Sequence, residues 1–236
     1  MSKTLLVFDL YGTLLSTESI AKQLSEHFGQ EKADSVAATW RKYQLEYTWR
    51  YNSMKQFASF SDITRNALLH ALAENGVQLD RDDVEKLMKA YDSLSTFPDV
   101  GPALKKLASI TSIECVVFSN GTNSMVCNSV QKSQDLSPHA SVFKQIITVD
   151  DVKMFKPAPE VYQHLARCVD KVGNEGDMWL ISGNPFDVVG ARAVGMQAAW
   201  VDRVGTGWQD KQGGQKPTVV VQSLEDLEEA VQAHSG

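Results

Sequence analysis

Asp9, Ser119, Asn120, Lys156, Ser182, Asn184 and Asp187 are the polar residues of this chain whose settings could turn them to chemistry. Asp9 directly follows the apolar run Leu5-Leu6-Val7-Phe8 and precedes Leu10-Tyr11-Gly12-Thr13. A carboxylate one step beyond a dry strand can act as a nucleophile. Locally it could equally cap the segment that follows. Ser119 and Asn120 end Val116-Val117-Phe118, Lys156 follows Ile146-Ile147-Thr148-Val149 at a short distance, and Ser182 ends Trp179-Leu180-Ile181. Each of these residues alone is ordinary. Their order along the chain, always just after an apolar run, is hard to explain as loop decoration.

Short apolar runs that break into Gly, Asn or Asp read as buried strands entering loops. Residues 1–15 and about 98–236 alternate such strands with helical patterns, which predicts an α/β core with a doubly wound, mostly parallel, Rossmann-like sheet. In such a sheet ligands bind outside the carboxyl ends of the strands, where Asp9 would stand. Residues 16–97 carry no convincing strand. Helices are expected there over 18–28, 33–51, 62–75 and 82–94, with Gly76 and Pro98 as punctuation. This stretch reads as an inserted helical cap, a lid over the Asp9 crevice. Residues 205–217 read as a loop, 218–221 as a final strand and 223–233 as a structural helix.

With 236 residues and 43% hydrophobic content, the chain can bury one substantial core and a modest second unit. A net charge of −6 and no basic stripe argue against a nucleic-acid surface. Cys115, Cys127 and Cys168 are odd in number and lack paired metal spacing, which suits inert thiols in a reducing compartment. The first strand starts almost at once and Asp9 interrupts its apolar run, so no signal peptide or membrane span is expected. A cytoplasmic location is the expectation.

The ordered motifs resemble the haloacid dehalogenase superfamily, and within it the 2-haloacid dehalogenases. The likeness rests on Phe8-Asp9-Leu10-Tyr11-Gly12-Thr13-Leu14, Ser119-Asn120-Gly121, Lys156-Pro157 with Val161-Tyr162, and Ser182 to Asp187. Trp40-Arg41 and Gln44-Leu45-Glu46-Tyr47-Thr48-Trp49 also look like that family's cap, and the match covers nearly the whole chain. The resemblance implies catalytic roles for Asp9, Thr13, Arg41, Ser119, Lys156, Tyr162, Ser182, Asn184 and Asp187. It implies substrate contacts from Tyr11, Arg41, Leu45, Phe60, Ser119, Asn120 and Phe186. Homodimers are common in the family. Phe186 stands where a Trp is frequent, and Pro185 is unusual there; both bear on loop shape and substrate size.

Local alternatives exist for each residue. Ser119 could cap a helix near 123–130, Asp187 could cap one over 188–194, and Asn120 could be a turn residue. Lys156 and Arg41 could be solvated charges, and Leu45 and Phe60 plain core. Trp40, Leu45 and Trp49 beside Arg41 suggest an apolar surface facing the core. The five histidines fall outside every motif.

Two positions separate this chain from superfamily phosphatases. The residue two after the nucleophile, an acid–base Asp there, is Tyr11, with an unperturbed pKa of about 10. The position four before Asp187, a Mg²⁺-ligating carboxylate there, is Gly183, and hard cations want several oxygens. Without metal, a dianionic phosphate beside Asp9 would be repelled by about 4 kcal/mol per unit pair at 4 Å and an effective dielectric of 20. A monoanion beside one lysine avoids most of that. The expectation is a metal-free, cofactor-free hydrolase of short L-2-haloalkanoic acids. A Mg²⁺-dependent phosphatase or phosphonate hydrolase, or a non-catalytic family member, are the alternatives; the last should have lost Asp9, Lys156 or Asp187.

Overall fold

The computed structural model describes residues 3–212 and 215–234. Strand β1 (Thr4–Phe8) is almost wholly buried and lies mid-sheet, because four successive apolar side chains need cover on both faces. It pairs in parallel with β2 (Ile113–Ser119) on one side. Beyond β2 lies β3 (Phe143–Thr148). On its other side β1 pairs with β4 (Met178–Ser182), followed outward by β5 (Gln197–Val201) and β6 (Val219–Val221). The order β3-β2-β1-β4-β5-β6, parallel throughout, is the doubly wound arrangement expected. Consecutive strands reverse direction of travel at β1, so the ligand crevice falls between β1 and β4.

Strand β5 goes beyond the sequence reading, which names no strand between 182 and 218. Ala198 and Ala199 have weak strand preference, and burial between two neighbours decides the matter. Within the loop expected over 205–217, Gly213 and Gly214 lie outside the described residues.

Between β1 and β2 the chain is helical. It runs through α1 (Ala21–Phe28), α2 (Gln30–Ser53), α3 (Phe60–Glu74) and α4 (Arg81–Ala90). Helix α2 extends past both expected ends, from 33 back to 30 and from 51 to 53. The expected 82–94 helix instead closes with a 3₁₀ turn at Tyr91–Ser93. Ser59 and Asp80 cap α3 and α4 by accepting from Asp62 N and Asp83 N. Where the chain leaves and re-enters the sheet, its two crossing segments are stitched together. Ser16 N donates to Ser95 O and Phe97 N to Leu14 O. Arg203 binds Asp99 and the Thr13 carbonyl.

The sheet is flanked by α5 (Val100–Leu107), α6 (Asn123–Lys132), α7 (Pro159–Cys168), α8 (Pro185–Ala193) and α9 (Leu227–His234). No helix among the described residues is long and apolar enough to cross a membrane. The three cysteines are free, and burial pushes the Cys115 thiol up to about 12.

Candidate active site

Four strand ends deliver the polar residues to one place. Asp9 leaves β1 with its N–H on Ile181 O of β4, and only 6% of it is exposed. Its Oδ2 accepts from Thr13 Oγ1 at 2.8 Å, Asn184 Nδ2 at 2.7 Å and, more weakly, Ser182 Oγ at 3.4 Å. Its Oδ1 accepts from the Lys156 ammonium at 3.1 Å. Four donors converging on a group that only accepts make a site built around a carboxylate.

Lys156 is 1% exposed and bridges two carboxylates, with Asp187 Oδ2 at 2.8 Å and the Phe118 carbonyl at 2.8 Å completing its three hydrogen bonds. The ammonium also lies 4.2 Å from the centre of the Phe118 ring. Burial alone would push the Lys156 pKa down, but Asp187 and Asp9 outweigh it and hold it above the ordinary lysine value. The solvated-charge alternative is therefore excluded for Lys156. Asp187 is fully buried, and burial together with the charge of Asp9 leaves its pKa above the usual carboxylate range despite the pull of Lys156. Tyr162 donates to Asp187 Oδ1 at 2.7 Å, and burial raises its own pKa. Gly190 permits this approach, since a Cβ there would collide with the Tyr162 hydroxyl.

Neither expected capping alternative is adopted. The cap of α6 is Thr122, which accepts from Met125 N, while Ser119 Oγ accepts from Gly121 N. Helix α8 starts at Pro185, so Asp187 sits inside its first turn. A proline suits that position because its missing N–H would have no partner there. The N-cap residue Asn184 spends its side chain elsewhere: Nδ2 goes to Asp9 and the Tyr11 carbonyl, and Oδ1 accepts from Arg41. Asn120 Oδ1 accepts from Lys156 N at 2.9 Å, which turns its Nδ2 the other way.

Helix α2 closes the site from above. Residues 41, 45, 49 and 52 share one helical face. Half-buried Arg41 donates through Nη2 to Tyr11 O and Asn184 Oδ1, both at 3.2 Å. Trp49 packs edge-on against Phe186 at 5.6 Å, and Asn52 exchanges two hydrogen bonds with the backbone of Phe155, beside Lys156. Leu45 is half-buried on this face between Arg41 and Trp49. Trp40 corrects the expectation of a shared apolar surface: it turns into the helical layer, against Tyr91 and the Thr64 carbonyl. Phe60 is buried and stacks on Tyr11 at 5.7 Å. Phe186 stands at the rim, lining an open cleft of about 590 Å³ with Trp49, Asn52, Pro157 and Ala158.

Tyr162 touches Asp187 rather than Asp9, so it stands behind the centre. The sequence reading overlooked Gln44, Asn52 and Tyr91 as site neighbours. A polar residue three or eleven positions from Arg41 on the same helix was the available signal.

The residues do not fit a divalent cation of the kind superfamily phosphatases use. Lys156 occupies the space between Asp9 and Asp187. A Cβ on Gly183 would lie 2.5 Å from the Gly12 carbonyl oxygen, so the loop has no room for a third carboxylate. Among the described residues no three His, Cys, Asp or Glu side chains gather to hold a metal.

The family model for haloacid dehalogenase-like hydrolases matches residues 3–195. The chain belongs to that family. It is 33% identical over 200 residues to (S)-2-haloacid dehalogenase 4A of Burkholderia cepacia, covering 84% of this chain and 83% of the relative. It is 32% identical over 222 residues to (S)-2-haloacid dehalogenase H-109 of Pseudomonas putida, covering 94% and 95%. The fold of this haloacid dehalogenase-like hydrolase matches the L-2-haloacid dehalogenase of Xanthobacter autotrophicus with chloropropionic acid covalently bound. That match has a TM-score of 0.86 and 27% identity, and spans 98% and 99% of the two chains.

Proposed function

We propose that this chain is an (S)-2-haloacid dehalogenase, hydrolysing short L-2-haloalkanoic acids to D-2-hydroxy acids and halide. The observation that carries this is the asymmetry of Asp9: Oδ2 is taken by three neutral donors, while Oδ1 meets only the Lys156 ammonium. Oδ1 keeps a lone pair for attack. It displaces halide at C2 from the opposite side and forms an aspartyl ester. Halide leaves toward Arg41 and the Nδ2 of Asn120, while Ser119 meets the substrate carboxylate. Tyr11, Leu45, Phe60 and Phe186 surround the alkyl part.

A water held by Asp187 and Asn184 then attacks the ester carbonyl. Asp187, with its raised pKa, takes the proton. As the acyl–oxygen bond breaks, Asp187 returns that proton to the leaving oxygen, which frees the hydroxy acid, and the regenerated Asp9 acid loses its proton to solvent. Thr13, Ser182 and Tyr162 hold the two carboxylates in place. As drawn, the reaction needs no metal or organic cofactor. The helices of 16–97 act as its lid, and the enzyme works in the cytoplasm, with a homodimer as the expected assembly.

One displacement at C2 inverts that centre once, so racemic 2-chloropropionate should yield D-lactate, with half the substrate consumed and no effect of excess EDTA. Chiral chromatography checks this. L-lactate, or equal consumption of both enantiomers, overturns the mechanism. Phosphate release from a phosphomonoester, abolished by chelation and restored by Mg²⁺, would favour the phosphatase alternative.

A further inference from the structure

Gln44 is a fully buried amide on α2, and its neighbours dictate which way it is turned. The Thr64 hydroxyl donates to Phe60 O at 2.6 Å, so toward Gln44 it can only accept, from Nε2 at 2.7 Å. The two remaining neighbours both donate to Oε1: Arg41 Nη1 at 2.8 Å and the Tyr91 hydroxyl at 3.0 Å. Trp40 Nε1 donates to Thr64 O at 2.7 Å and ties the assembly to α3. A buried amide is costly unless its hydrogen bonds are made, and a leucine would fill the same space without that demand. Packing therefore does not explain an amide here. What the amide adds is one acceptor, shared by the guanidinium of Arg41 and the Tyr91 hydroxyl.

We infer that Gln44 is a positioning residue for Arg41. It fixes one edge of the guanidinium from the helical side, while Tyr11 O and Asn184 Oδ1 fix the other from the sheet side. Being neutral, it orients the cation without cancelling it. A glutamate here would pair with the guanidinium and weaken its pull on a departing anion. The inference rests on Arg41 facing the halide, as proposed above, and a small misplacement of such a group is costly in rate.

The test compares kcat and KM of the full chain on L-2-chloropropionate and L-2-bromopropionate. Chloride is the poorer leaving group and depends more on its hydrogen-bond donors, so the chloro/bromo rate ratio reports the guanidinium. Gln44→Leu should lower kcat on the chloro acid about tenfold, lower it less on the bromo acid, and leave KM nearly unchanged. Tyr91→Phe, which removes one donor from the same oxygen, should shift the ratio in the same direction by less. Should Gln44→Leu fail to fold, Gln44→Glu, nearly the same size, carries the test and should also shift the ratio. Equal losses on both substrates, or a wild-type ratio in the Gln44 variant, overturn the inference. Arg41→Lys separates the two levels. If it shifts the ratio while the Gln44 variants do not, only the positioning role fails. If it leaves the ratio unchanged, the halide role of Arg41 fails, and the role of Gln44 with it.

Discussion

The strand ends and the face of α2 hold the site by different physics. At the strand ends, Asp9, Lys156 and Asp187 are nearly inaccessible, and every charge has a partner of opposite sign within 3.1 Å. Backbone ladders on both sides of β1 fix where these groups stand. On α2, Arg41 is half-buried, its partners are neutral oxygens, and Trp49 is 41% exposed. A buried charge network is costly to disturb, whereas a helix face at the rim can vary cheaply. Under the proposed mechanism, bond-making falls to the first region, and leaving-group and size selection to the second.

The largest effect should come from Asp9→Asn, which makes the proposed nucleophile a neutral amide. Turnover should fall by at least about 10⁴-fold with the fold retained. In the unaltered protein, a single turnover in H₂¹⁸O should leave label in the Asp9 carboxylate, read by mass spectrometry of its peptide. Label only in the product hydroxyl would mean direct attack by water and would break the division between the regions.

Lys156→Met should be next, because it harms chemistry and fold together. It leaves two carboxylates buried without their cation, at a cost of about 3–5 kcal/mol in denaturant unfolding. The same lysine sets the alkaline behaviour. Its folded-state pKa is raised above 10.5, so its stabilising pair is complete below pH 10.5 and is lost as pH rises through the folded value. The alkaline limb of kcat/KM should lie above pH 10.5; a limb one unit or more below it would contradict the shared-ammonium geometry.

Trp49→Ala should have the smallest effect. It removes the edge-on contact with Phe186, worth about 0.5–1.5 kcal/mol beyond burial. A modest fall in thermal stability and a few-fold change in KM that depends on chain length would sharpen the contrast. A loss as deep as that of Asp9→Asn would erase it.

Much of the first region was legible in the chain itself. A buried parallel strand must be apolar along its length, so the first polar residue after it marks the sheet edge, and Asp9, Ser119 and Ser182 announce themselves. Lys156 and Asp187 followed from their place after such strands and from the motif set. Tyr11 and Gly183, each a missing carboxylate, were equally plain.

The second region depends on relations that a linear pattern does not carry. Arg41 shares its local signals with any solvated helix arginine, and only the seating of α2 against the sheet brings it to Asn184. Gln44 looked like one more polar helix residue until burial fixed its three partners. Trp40 and Trp49, nine residues apart, looked alike; packing sends one into the helical layer and the other to the rim. Strand β5 likewise owes its conformation to its neighbours more than to Ala198 and Ala199. Local periodicity and strand-end chemistry are properties of the sequence alone. Which side chains meet across 30 to 180 residues of chain is decided when the helical layer and the sheet close on each other, because only then does burial force each polar group to find its partner.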